Sequence, residues 1–148
     1  MRTLQMLAVT ASLAVLAAAP APASAQPARA TGVQLMASLS GAPEVPGPGD
    51  PDGTGMFSAR LNVGQGQLCY TLTSSNIGTP TMAHIHTGAT GVAGPPVVTL
   101  AANAPTETCM AVDKDVAQKI VAAADGFYVN VHTADFRAGA VRGQLMKH

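Results

Sequence analysis

The chain has 148 residues, eight basic and eight acidic side chains, and a composition that is 47% hydrophobic but only 3% aromatic. Balanced charge, the lack of a basic run and the scarcity of aromatics argue against nucleic acid or an anionic membrane surface as a partner. One apolar stretch, residues 4–18 at the N-terminus, is too short and too rich in small residues for a comfortable membrane span, and nothing later is long or apolar enough to cross a bilayer.

Residues 1–25 read as a secretory signal peptide. Arg2 supplies the positive start, residues 4–18 are almost wholly apolar, and Ala23-Ser24-Ala25 is an A-x-A cleavage site that makes Gln26 the mature N-terminus. The expected product is secreted or periplasmic, with no stable membrane insertion after cleavage. Residues 26–32 form a short flexible lead-in, and residues 33–148 form one domain. Removing Arg2 leaves seven basic and eight acidic residues, a net charge of 7 − 8 = −1 with histidine neutral. Two cysteines, Cys69 and Cys109, remain. An even count in an exported chain reads as one disulfide. Neither has a second Cys or a His at metal-ligand spacing.

Residues 34–39 alternate as a first strand. Residues 41–53 are rich in Pro, Gly and Asp and read as a solvated loop. Its three carboxylates, Glu44, Asp50 and Asp52, do not match a calcium loop. Residues 54–63 and 67–73 are two strands joined at Gly64-Gln65-Gly66, a hairpin signal. In the second, Leu68, Tyr70 and Leu72 share a face and Cys69 points the other way. A turn at 74–80 leads to the strand Met82-Ala83-His84-Ile85-His86-Thr87. Ala83 and Ile85 lie on one face, and Met82, His84 and His86 on the other. The glycine-rich residues 88–96 lack the Lys-Ser or Lys-Thr pair of a phosphate loop and read as a connection whose backbone passes close to the histidine strand.

Residues 97–100 are an apolar strand, and residues 106–112 carry Cys109 toward a helix start. Residues 113–124 form the one convincing helix, with Asp113 as N-cap, Asp115 in the first turn, and an apolar stripe of Val116, Ile120 and Ala123 or Ala124. The strand from Phe127 alternates again: Phe127, Val129 and Val131 face one way, and Tyr128, Asn130 and His132 the other. A loop at 135–139 precedes a last strand at 140–145. With the aliphatic faces in one core, His84, His86 and His132 fall on outward faces and converge if their strands are neighbours. A His-x-His pair is a natural chelate: its rings leave one side of the strand about 7 Å apart at Cα, close enough to reach one ion at about 2 Å.

These blocks resemble the CHRD domain, named after chordin and found in many exported bacterial proteins. The resemblance rests on Leu39-Ser40-Gly41 with Glu44-Val45-Pro46, on Ala83-His84-Ile85-His86-Thr87-Gly88 with Gly91 and Gly94, on Tyr128-Val129-Asn130-Val131-His132-Thr133, and on Gly139-Ala140-Val141-Arg142-Gly143-Gln144-Leu145. It covers essentially the whole mature chain in order. One departure is Arg137-Ala138-Gly139, where the family usually has Pro before the Gly.

The resemblance implies an all-β, immunoglobulin-like antiparallel Greek-key sandwich with one short helix, distantly similar to copper-zinc superoxide dismutase. On that analogy His84, His86 and His132 are copper-type ligands of one ion, with zinc as the alternative, a fourth position open to water, and Met82 available as a soft sulfur for Cu(I). Asn130 then reads as a residue orienting an imidazole, or as an ordinary strand residue. Arg142 reads as a guide for anions, or as the surface partner of Asp135 or Asp125. A dinuclear dismutase site is excluded on residue count, because only His148 remains. No Ser/His/Asp triad suggests itself, and no catalytic residue is assigned.

Three functional readings remain. The first is an exported metal-binding module. The second is a metal-free extracellular domain that is structural or binds a protein partner, its histidines merely bonding loop carbonyls and holding loop 88–94 down. The third is a weak redox enzyme.

Overall fold

A computed structural model describes residues 31–148. The signal peptide and most of the 26–32 lead-in fall outside the described residues. Nine strands and one helix occur in the order β1 (Val33–Ser40), β2 (Thr54–Asn62), β3 (Gln67–Ser75), β4 (Pro80–Thr87), β5 (Pro96–Leu100), β6 (Ala104–Ala111), α1 (Lys114–Ala122), β7 (Phe127–Thr133), β8 (Val141–Gln144) and β9 (Met146–Lys147). A 3-10 turn, Ala124–Gly126, joins α1 to β7.

The strands pair in the order β5-β4-β7-β8-β1-β2-β3-β6, with β9 added to β1, and every pairing is antiparallel. β8 meets β1 at a single register pair, Ser40 opposite Arg142. That narrow seam lets the sheet curl so that two four-stranded halves face each other. Leu35, Phe57, Leu68 and Leu72 from one half meet Ile85, Leu100, Val129 and Val131 from the other in one core. Alternation creates this layer: each strand buries every second residue because neighbouring side chains leave opposite faces. The all-β fold with one short helix is thus present.

Local chemistry fixes the connections. In the β2–β3 hairpin Gly66 has φ of 61°, a left-handed conformation that costs glycine little. The Asn62 side chain closes the same turn by accepting from the Gln65 backbone at 3.0 Å. Asp113 caps α1, its Oδ1 accepting from the Asp115 and Val116 amides at 2.9 and 3.1 Å. The buried stripe is Ala117 and Ile120. Val116 is only partly buried, and Ala123 lies beyond the helix, because the chain tightens into the 3-10 turn and carries Ala124 inward instead. The C-terminal strand is also split: Leu145 interrupts it, so β8 pairs with β7 while β9 pairs with β1. Cys69 and Cys109 are register partners in β3 and β6, with Cα atoms 4.0 Å apart, and form the disulfide.

Two expectations are corrected. Loop 41–53 is not merely solvated. Gly41, Glu44, Gly49 and Gly53 are buried, and the Asp50 amide donates to the Ala140 carbonyl at 2.8 Å. The histidine-bearing face is only partly open to water: His86 and His132 are buried, His84 is half-buried and Met82 is exposed. Every residue of β7 is buried, on both faces. Loop 88–95 covers the second face and is tied down by hydrogen bonds from β4, β7 and β8.

Candidate metal centre

β4 and β7 are adjacent, which brings the three histidines together. Met82 lies opposite His132, His84 opposite Asn130, and His86 opposite Tyr128. One potential ligand nitrogen from each of His84, His86 and His132 lies within 4.8 Å of the other two. His84 Nδ1 and His132 Nε2 are 3.3 Å apart. Two nitrogens each about 2.05 Å from a tetrahedral ion sit about 3.3 Å from each other, so this pair already has the spacing of ligands sharing an ion.

The other ring nitrogens fix the tautomers. His86 Nδ1–H donates to the Gly94 carbonyl at 2.8 Å, and His132 Nδ1–H donates to the Arg137 carbonyl at 2.9 Å. A carbonyl can only accept, so in each neutral ring the lone pair is left on Nε2. His86 is 9% exposed and its Nε2 is buried without a hydrogen-bond partner among the described residues. A buried acceptor left unpaired costs about 1–3 kcal/mol. An ion at the shared position removes that cost, and backbone carbonyls that orient imidazoles are the usual outer partners of metal ligands.

Protonation points the same way. Burial, and then any positive charge on His132 or His86, lowers the pKa of His84 below its ordinary 6.5. Burial chiefly lowers that of His132, with the His86 charge adding to it and the hydrogen bond to Arg137 opposing it. Both rings are therefore held neutral near pH 7, the form that binds metal. The donor set, three imidazoles offering one nitrogen each within 4.8 Å of one another, fits a borderline divalent ion such as Cu(II) or Zn(II).

The remaining candidate residues divide. Met82 is 50% exposed beside His132. Asn130 is 2% exposed, but its side chain makes no hydrogen bond to an imidazole among the described residues, and its Oδ1 is unpaired. Arg142 is 1% exposed, which removes it from any surface pair with Asp125 or Asp135 and from the path of an incoming anion. Its Nη2 donates to the Ala89 and Val92 carbonyls at 3.0 Å each, and its guanidinium lies 3.4 Å from the Tyr128 ring centroid. Loop carbonyls thus do bond histidines, but each bond uses only one nitrogen of a ring; the other is 3.3 Å from His84 Nδ1 in His132 and without a partner in His86 among the described residues.

Two residues had no assigned role in the sequence reading. Tyr128 stacks on His86, with ring centroids 4.8 Å apart and planes 11° apart. Its place opposite His86 becomes visible only once the β4–β7 register is known. Glu44 is 7% exposed, with Oε1 unpaired. Burial pushes its pKa up to about 7 despite the opposing charge of Arg142. Its carboxyl packs against Gly139, where an added Cβ would collide with it. The recurrence of Glu44-Val45-Pro46 and Gly139 in the motif blocks was the available signal.

No curated protein and no solved structure matches this chain, so the likeness to the dismutase remains an analogy. The family model for the CHRD domain matches residues 35–145, from the middle of β1 through β8 and including all three histidines and both cysteines. The chain belongs to the CHRD-domain family.

Proposed function

We propose that this CHRD domain is an exported module that binds one transition-metal ion through His84, His86 and His132. The observation that carries the reading is the cluster itself: one ring nitrogen each of His84, His86 and His132 lies within 4.8 Å of the others, and His86 Nε2 is buried without a hydrogen-bond partner among the described residues. Copper ranks before zinc, because imidazole sites bind Cu(II) more tightly in the divalent series. Met82, half exposed beside His132, adds a soft sulfur when the ion is Cu(I). With no acid, base or nucleophile assigned, the module holds or delivers metal rather than catalysing a reaction. Its disulfide suits an oxidising compartment outside the cytoplasm.

Calorimetric titration with Cu(II) and Zn(II) tests the proposal. The wild type takes up one equivalent, and His84→Ala/His86→Ala loses at least 100-fold in affinity, whereas His148→Ala leaves it unchanged. Equal affinity in wild type and double variant removes the metal site. A metal-free interaction domain would then remain. That second reading draws on the two free sheet edges, β5 and β6, which present unpaired backbone groups to an added strand.

A further inference from the structure

The His86 lone pair is aimed by a structure that begins two strands away. β7 lies between β4 and β8. On its covered face, Tyr128 receives the His86 ring from β4 and the Arg142 guanidinium from β8. The plane of His86 is thereby set by stacking, and the stack is closed by a cation on an aromatic face. The same Arg142 Nη2 grips loop 88–95 at the Ala89 and Val92 carbonyls, and Gln144 Nε2 grips it at the Gly88 carbonyl, 2.7 Å away. Gly94, the residue whose carbonyl takes the His86 Nδ1 proton, lies in that loop. Ring plane and tautomer therefore converge on one pair of residues.

We infer that Tyr128 and Arg142 are positioning residues for His86, holding its ring plane and the Gly94 acceptor so that Nε2 presents its lone pair at the histidine cluster. The inference rests on the proposed metal reading for its purpose, but its first test needs no metal. In the metal-free protein, long-range proton–nitrogen NMR reports which His86 nitrogen carries the proton. The wild type shows a single Nδ1–H tautomer. Tyr128→Phe keeps the stacking plane and loses only the long 3.4 Å contacts of the hydroxyl with the Gly94 amide and carbonyl, so it keeps that tautomer. Tyr128→Leu removes the plane and Arg142→Met removes the loop grip, so both show mixed tautomers while their strand-rich circular dichroism persists.

Cu(II) titration is the second readout. Loss of such outer partners typically costs 10–100-fold in metal affinity. Tyr128→Leu is expected to lose affinity in that range and to change the copper electron paramagnetic resonance spectrum, and Tyr128→Phe to match wild type. A single wild-type-like tautomer in Tyr128→Leu overturns the inference. Failure of the wild type to bind copper more tightly than His84→Ala/His86→Ala, with the tautomer shift still present, instead overturns the metal reading and leaves the positioning intact.

Discussion

At the scale of single residues, ring nitrogens and one carboxylate set the behaviour of the site. The pKa values of His84 and His132 are lowered in the folded chain. Their contribution to the stability of the metal-free protein is therefore full above the unfolded value, about 6.5, and is lost as pH falls, because the unfolded chain takes up protons first. Glu44 has the opposite sign. Its folded pKa is raised from 4.5 to about 7, so its contribution is full below 4.5 and is lost as pH rises through 7. In wild type the two trends oppose each other. Glu44→Gln is permanently neutral at nearly the same volume, which isolates the histidines. We expect its melting temperature, relative to wild type, to rise between pH 5 and pH 8. A fall over that range would mean that ionised Glu44 stabilises the fold through Arg142. Acidification also releases bound copper, since protons compete for the imidazoles. The copper absorption of the loaded protein should fade between pH 7 and pH 4.5. Unchanged absorption at pH 4.5 would point to ligands other than histidine.

At the scale of elements, the strands were legible wherever one face is buried. β4 and β7 show the clearest alternation, and their aliphatic residues Ala83, Ile85, Val129 and Val131 are fully buried. What alternation could not show was the covering of the second face. Tyr128 is covered by loop 88–95 folding back, which depends on contacts more than 30 residues apart in sequence, such as Arg142 with Ala89, while His132 is held by the Arg137 carbonyl of the loop after β7. Arg142 was misread for the same reason: its partners, the Ala89 and Val92 carbonyls and the Tyr128 ring, are not local. The helix stripe of Val116, Ile120 and Ala124 meets the core, but α1 itself stops at Ala122 and the 3-10 turn carries Ala124 inward. The cysteines, by contrast, were legible from count and compartment alone. The disulfide fixes the edge strand β6 to β3 across a sequence separation of 40. A crosslink closing a loop of that length contributes about 4 kcal/mol in the chain-entropy view. Cys69→Ser/Cys109→Ser should therefore lower the melting temperature by roughly 10–20 °C. A drop of only a degree or two would show that pairing between β3 and β6 holds the edge without the bridge.

At the scale of the whole molecule, the curled sheet places two unlike layers on the two faces of β4 and β7. One face closes an aliphatic core. The other carries a polar layer of histidine, tyrosine, asparagine and arginine sealed by loops. A polar layer that contains unpaired atoms at His86 Nε2, Asn130 Oδ1, Glu44 Oε1 and Arg142 Nη1 is expensive for a small domain. The resemblance of the motif blocks located this layer in the sequence; only the strand register and the loop contacts show which nitrogens are left free.

The most direct test is the anomalous scattering, recorded at the copper and zinc edges, of crystals of the protein purified without an affinity tag and with copper supplied. The account predicts one peak about 2.0–2.1 Å from His84 Nδ1, His86 Nε2 and His132 Nε2, with His86 Nδ1 still donating to the Gly94 carbonyl. A map with no peak among these three residues, or with the metal held only at His148, would contradict it.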